Sequence, residues 1–577
     1  MNKIVSFFSL FVVELLIIIS LLFVVNNFIG QHDDHIGFAD GVGYYDYLPS
    51  SFIRHDINRK DVKFSDSSSI YYATNKTGIY KKYKDFTINK YTCGTAILQS
   101  PFFFLAYFST TRTDEITDGY QNEFQIAIYI STIFYLFLGL IFFRKTLNLY
   151  KTKRSIIIWI QLLIVFSTSV IHYTANESAM SHVYSFFAIS LFIYVCKLFF
   201  TKKKISYFII ACGLLGFIFL LRQVNILVLF SLPFLAGSWA DFKFGVELVF
   251  KNRKGLIFGI ICFGLFVSFQ FGFWYLQTGE FIIYSYQNEG FDFLQPAFFE
   301  LLFSYQKGLF VYAPVLFLSV IASVVMILKK EYYLSLTWIL FLLFINFVFS
   351  SWHDWGYGCS YGARPFIDYY SLLFIPFSIV INRMSKIVVL PVFLVTCFLS
   401  ILTVTQTYQY KNYILHWVNM NKEMYWSVFM ETDEQFNGVL WRKSVDETDY
   451  HLIKNFSIGE VSFQYNEELI LLEITPSDSI NFDGMNLLSI SFQSDFDREM
   501  TTKIHISIDD STQNYFWHER PLLHFYTEKL GKYQEGKYNF SFPTIENSFS
   551  KSIVISIVKP GDKITLAELR IKFLKKE

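Results

Sequence analysis

The chain has 577 residues, of which 53% are hydrophobic, 17% are charged and 68 are phenylalanine, a balance that excludes an ordinary soluble domain and describes an integral membrane protein carrying some soluble mass. A net charge of +1 excludes a general attraction to nucleic acid, so no nucleic-acid partner is expected and the placement of the charges becomes the informative quantity. Six cysteines without paired spacing, with Cys196, Cys212, Cys262 and Cys397 inside apolar runs, argue against a disulfide framework or a zinc knuckle.

The first apolar segment, Val5–Phe28, lacks a small-residue cleavage site and is too long for the apolar core of a signal peptide, so it reads as a retained anchor. Glu14 lies inside it, is expected to be neutral and paired with another helix, and sits too deep for chemistry on the outer side. A long loop follows, residues 30–123. It opens with His32-Asp33-Asp34-His35, which has metal-ligand residue types, but four consecutive ligands rarely converge on one ion and the run reads as a solvated loop. Then comes Asp40-Gly41-Val42-Gly43-Tyr44-Tyr45, an acid joined to two flexible residues and an aromatic pair, followed by Asp46, Arg54-His55-Asp56 and Lys81-Lys82-Tyr83-Lys84. Asn89 to Ala96 runs into Pro101-Phe102-Phe103-Phe104, which is too short and interrupted for a span and is expected to lie on the membrane as an interfacial helix.

A transmembrane helix needs about 20 mostly apolar residues. Ten further segments fit: Phe124–Phe143, Ser155–Tyr173, Ser181–Phe200, Ser206–Leu221, Asn225–Ala240, Leu256–Tyr275, Leu309–Leu328, Tyr332–Phe349, Pro365–Ile381 and Ile387–Thr405. The expected fold is therefore an all-α bundle of about eleven membrane helices, of which the fifth and sixth read either as two spans or as one broken hairpin. Between the seventh and eighth, Tyr284 to Gly290 reads as a loop that shapes a lipid groove. The loop Trp352-His353-Asp354-Trp355-Gly356-Tyr357-Gly358, ending at Arg364, is too dense in aromatic, glycine and charged residues to be a plain connector.

From about Asn421 the long apolar runs stop, and short alternating segments such as Lys503–Asp509, Ser552–Val558 and Ile564–Phe573 take over. Period-two alternation broken by Asp, Asn, Gly and Ser clusters predicts an antiparallel β-sandwich, either a glycan-binding module or a structural cap. Two domains result, a membrane domain over 1–420 and the sandwich over 421–577.

Lys and Arg in short loops resist translocation. Arg144, Lys145, Lys151, Lys153 and Arg154 share one loop, and Lys202 to Lys204, then Lys243, Lys251, Arg253 and Lys254, then Lys329 and Lys330, then Arg383 and Lys386 fall in alternate loops after it. With eleven spans all of these lie on one side, which is then cytoplasmic. The long first loop, the loops near His172–His182, Gln277–Lys307 and Ser350–Arg364, and everything after Gln406 face outward, and all eleven histidines lie on or near that side. A multi-pass protein of the cytoplasmic (inner) membrane with an extracytoplasmic C-terminal domain is expected.

A first span, a long outer loop opening with an acidic motif, an interfacial helix, a bundle of spans and an outer soluble domain together resemble the GT-C class of polytopic glycosyltransferases. That group includes protein O-mannosyltransferases and the bacterial transferases that decorate lipid A with aminoarabinose. The likeness extends over the membrane domain and centres on Ala39-Asp40-Gly41, where Asp40 takes the place of the family's acid; there another acidic residue usually follows, and here Gly41 does. The resemblance implies transfer of a sugar from a polyprenyl-phosphate donor to an acceptor outside the membrane, with inversion. Such chemistry needs a carboxylate that deprotonates the acceptor hydroxyl or holds a metal, so a divalent ion is an open cofactor, and cations that neutralise the leaving phosphate.

Asp40 suits the first task. Arg222, Lys307 and Arg364, at the outer ends of spans, suit the second, with a snorkelling anchor as the alternative, most of all for Lys307. Tyr44, Tyr45, His182, His353 and Asp354 are the expected substrate-binding residues, although a helix-end histidine such as His182 is commonly just a hydrogen-bonded one. Membrane lipid and the lipid-linked donor are the expected partners, with a glycan for the C-terminal domain. A polyprenyl-linked glycan transporter or flippase, or a non-catalytic envelope assembly factor, shares the many spans and outer cations. A transporter, however, calls for a charged path and paired halves, and neither is visible in the sequence.

Overall fold

The computed structural model describes residues 11–30, 40–57, 79–110 and 118–433, and beyond them 436–438, 440, 447–448, 450–463, 469–475, 478, 481–494, 503–510, 514–521, 526–528, 534–541, 544–545, 551–558 and 564–576. Packing divides these into two units, one holding the described residues up to 57, 79–411 and 417–432, the other 412–416 and those from 433 onward.

The first unit is helical. Among the described residues seven helical segments are long and apolar enough to cross a membrane: Val12–Ile29, Asn122–Leu149, Ser181–Lys202, Arg253–Thr278, Tyr332–Ser350, Arg364–Ile381 and Lys386–Lys411. The other four expected spans are shorter apolar helices, Arg154–Phe166, Ile205–Leu221, Gln223–Ala236 and Pro314–Leu328. Polar residues and prolines explain the shortfall. Arg154–Phe166 stops before the buried Ser167, Thr168 and Ser169, and its 13 residues rise only about 20 Å where the hydrocarbon core is about 30 Å thick. The segment expected over 309–328 is cut at Ala313, with Pro314 opening a 3₁₀ turn before Phe317–Leu328. Arg364–Ile381 is itself discontinuous, a 3₁₀ turn over Arg364–Tyr369 followed by Tyr370–Leu373 and Ile375–Ile381, and 94% of its apolar window is buried inside the protein.

Three of the basic loops touch one another. The Lys153 amide donates to the Asn382 side chain at 2.9 Å, Asn382 donates to the Lys151 carbonyl at 3.3 Å, and Arg383 pairs with Glu331 at 2.5 Å. The loops that carry the candidate site gather in the same way through other contacts. Strands β1 (Tyr80–Tyr83) and β2 (Phe86–Asn89) form an antiparallel hairpin; Lys81 within it and Lys90 just after it pair with Glu289, at 2.8 and 3.3 Å. Backbone bonds from Asp292 to Ser351, from Ala297 to Ser350 and from His353 to Gly290 hold residues 290–297 against 350–353. The segment after β2 forms the helix Gly94–Thr110, which buries Ala96, Gln99, Phe103 and Ala106 and exposes Leu105 and Phe108, an amphipathic pattern.

The second unit contains two antiparallel sheets. One has the order β4 (Leu469–Ile474), β10 (Lys551–Val558), β6 (Lys503–Asp510), β7 (Asn514–Pro521); the other has β3 (Tyr450–Phe463), β11 (Ile564–Lys576), β5 (Leu487–Ser494), β9 (Gln534–Ser541), β8 (Tyr526–Glu528). The expected alternation produces this arrangement directly. Ile504, Ile506 and Ile508 pair in register with Ile557, Ile555 and Ile553, all fully buried, and they share one core with Leu488, Ile490, Phe540, Ile571 and Phe573 of the other sheet.

Candidate active site

Asp40 opens the short helix Asp40–Tyr45, with its carboxylate 24% exposed and Oδ2 accepting from Nη2 of Arg364 at 2.7 Å. The two glycines that follow allow the close fit. A Cβ on Gly41 would lie 2.9 Å from that of Ala179, and one on Gly43 would lie 2.4 Å from the Tyr91 ring. A larger side chain at position 41 would therefore collide with Ala179. Burial pushes the Asp40 carboxyl up, but the charges of Arg364 and Lys90 and a hydrogen bond from the Tyr91 hydroxyl outweigh it and hold the group at about 2.

The aromatic pair after Asp40 splits its roles. The Tyr44 ring lies 4.5 Å from that of Tyr91, within the fields of Arg222, Asp40 and Arg364. Tyr45 turns away: its hydroxyl donates to the Gly119 carbonyl at 2.7 Å and its ring packs on Tyr120, so it tethers the helix.

A second carboxylate, Asp368, organises the other candidates. It is fully buried; Oδ1 lies 2.8 Å from His182 Nδ1, and Oδ2 accepts from Arg222 Nη1 at 2.9 Å and from Asn225 Nδ2 at 2.7 Å. Arg364 and Asp368 sit on one 3₁₀ turn, so that short segment holds one guanidinium against Asp40 and fixes a second, Arg222. In the sequence Asp368 lies within an expected span, where an ionisable residue inside an apolar segment is the available signal. Tyr286 and Glu289 fall in the loop expected to shape a lipid groove, and Lys90 and Tyr91 lie in the run that leads into the expected interfacial helix; none of the four stands out as a site residue in the sequence.

These missed residues form one wall of the site. The Lys90 ammonium lies over the rings of Tyr91 and Tyr286, at 5.3 and 5.7 Å, and the Tyr286 ring meets those of Tyr91 and Trp352 edge-on at 6.2 and 5.6 Å. His353 is half exposed, 3.8 Å from Glu289, while Asp354 is exposed and heads the turn whose Tyr357 ring lies 5.9 Å from Arg364. Lys307 is placed differently from the two arginines. It is 1% exposed, its ammonium donates to the carbonyls of Ser360 and Trp417, and burial pushes it down to about 8. The structure therefore shows Lys307 bracing the loop that leads to Arg364.

Among the described residues no group of three or more His, Cys, Asp or Glu converges as a metal site. The His32–His35 run lies outside the described residues.

No family model and no curated protein matches the chain. Among solved structures, the arabinosyltransferase EmbB from Mycobacterium smegmatis, determined by single-particle cryo-EM, is similar with a TM-score of 0.30 and 9% identity, over 79% of this chain and 58% of that one. The chain thus spans little more than half the length of that structure, and a likeness this distant carries no argument about fold or activity.

Proposed function

We propose that this protein is a glycosyltransferase of the cytoplasmic membrane that moves a sugar, with inversion, from a polyprenyl-phosphate donor to an acceptor hydroxyl on the extracytoplasmic side. The observation that carries the reading is the Asp40–Arg364 pair, a partly exposed carboxylate touching a guanidinium of which only Nη2 is engaged among the described residues. In the proposed step Asp40 takes the acceptor's hydroxyl proton, and the acceptor oxygen bonds to the anomeric carbon opposite the phosphate. The anomeric carbon–oxygen bond breaks, its electron pair leaves on the polyprenyl phosphate, and Arg364 and Arg222 neutralise the charge. Tyr44, with the wall of Tyr91, Tyr286 and Trp352, offers aromatic faces to a sugar, and His182, His353 and Asp354 border it. Lys307 is assigned the bracing role, since reaching a phosphate would require it to release two carbonyls.

The positive-inside rule supports the side. Three of the five basic loops touch one another, and the site's loops are joined by a separate set of contacts. In this reading the last span, Lys386–Lys411, runs from the basic end to the outer side, and the two sheets are read as an extracytoplasmic sandwich that binds glycan.

The test is mass analysis of envelope glycans and glycoproteins from cells lacking the chain and complemented with wild type or Asp40→Asn. Wild type should restore a missing sugar, and Asp40→Asn, present in the membrane in equal amount, should not. Full restoration by Asp40→Asn would overturn the transferase reading, since a transporter or assembly factor has no use for the base.

A further inference from the structure

We propose that Asp368 is the positioning residue for the donor phosphate, acting through Arg222; this rests on the reading of Arg222 as a phosphate ligand above. The Asp368 carboxylate is fully buried and takes donors from three places in the chain: His182 in the first turn of Ser181–Lys202, Arg222 just past the end of Ile205–Leu221, and Asn225 in the 3₁₀ helix Gln223–Ser231. A buried carboxylate persists only when paired and hydrogen-bonded, and these partners supply both needs.

The way Arg222 is held is what points to a ligand. Among the described residues its polar contacts run through Nη1 alone, a hydrogen bond to Asp368 and a close approach to His182, and the side chain is 14% exposed, so Nε and Nη2 are uncommitted. Arg364 repeats the arrangement, gripping Asp40 through Nη2 alone. A guanidinium anchored by one nitrogen keeps the rest of its planar fork for an oxyanion. Two such forks, both anchored to carboxylates and tied through one 3₁₀ turn, match a phosphate group. His182 completes the anchor. The carboxylate oxygen can only accept, so the 2.8 Å contact assigns a proton to Nδ1, and the 3.2 Å approach of Arg222 to the same nitrogen is then packing between two donors.

The experiment measures binding of a polyprenyl monophosphate to the full chain in lipid nanodiscs, together with donor KM and kcat. The variants are Arg222→Ala, Asp368→Asn, their double variant, and Asp368→Glu. Arg222→Ala and Asp368→Asn should each weaken binding by about ten-fold, the scale of one charged hydrogen bond, raising KM more than kcat. The double variant should bind no worse than either single one, and Asp368→Glu should recover part of the loss. Binding by Asp368→Asn at wild-type affinity, or a loss that adds to that of Arg222→Ala, overturns the proposal. Asn225→Ala tests the same point if Asp368→Asn does not fold: it removes one donor to Asp368, keeps every charge, and should weaken binding only when Arg222 is present. Unchanged binding by Arg222→Ala would instead defeat the assignment of Arg222 itself, so the two failures are distinguishable.

Discussion

A carboxyl group held at about 2 is ionised across the working range but accepts a proton weakly, whereas a general base works best when its pKa lies near the operating pH. Its depression comes from cations that outweigh burial, Arg364 first and Lys90 second. A donor phosphate that draws on Arg364 must weaken that hold, so Asp40 should become a stronger base once the donor is bound. The pH profile of donor kcat/KM reports the free enzyme and that of kcat reports the loaded one. The acid limb of kcat is therefore expected at higher pH than that of kcat/KM, and coincident limbs, or the reverse order, would count against the exchange. The folding contribution has the opposite sense. With the folded value depressed below the ordinary 3.8, the stabilisation from this pair is complete above that value and is lost as pH falls through about 2, so mild acid should leave the pair formed.

Among the elements, the first span is bound to its neighbours by a charge. Glu14 is fully buried, with Oε1 2.5 Å from Arg144 Nε and 3.0 Å from Gln161 Nε2, which ties together Val12–Val24, Asn122–Leu149 and Arg154–Phe166. Removing one partner of a buried pair costs about 3–5 kcal/mol, because the other charge stays buried, while replacing both by apolar groups is often neutral. Arg144→Ala should therefore lower the melting temperature in detergent clearly, and Glu14→Leu with Arg144→Leu should lower it less; equal losses would mean that the charges do not interact. The sequence signals that Glu14 needs a helical partner but not which one, since Arg144 reads as a loop cation and only the continuation of the helix past it to Leu149 turns it inward. The same blindness hid Asp368, counted within an apolar run, and left open whether Lys307 snorkels or is buried, because tertiary contacts alone separate the two. By contrast, Asp40 beside its aromatic pair and the strands around Ile506 and Ile555 were legible: a short motif placed the first, and period-two alternation with one buried face leaves a strand little choice.

For the molecule as a whole, the decisive quantity is which face of the bundle carries the site. The contacts from Lys151 and Lys153 to Asn382 and from Arg383 to Glu331 gather one set of loops. Those from Lys84 to Glu280, from Lys90 to Glu289 and from Arg364 to Asp40 join another. Loops rich in lysine and arginine stay in the cytoplasm, so the two sets should react with an impermeant thiol reagent in opposite ways. The six native cysteines, of which Cys359 and Cys397 are exposed, are replaced first. Single cysteines at Lys84 and Asp354 should then label in intact cells, and those at Lys254 and Arg383 only after permeabilisation. Labelling of Lys254 from outside together with protection of Lys84 would place Asp40 in the cytoplasm, where activated nucleotide sugars are at hand, and the case for a lipid-carried donor would lose its physical reason.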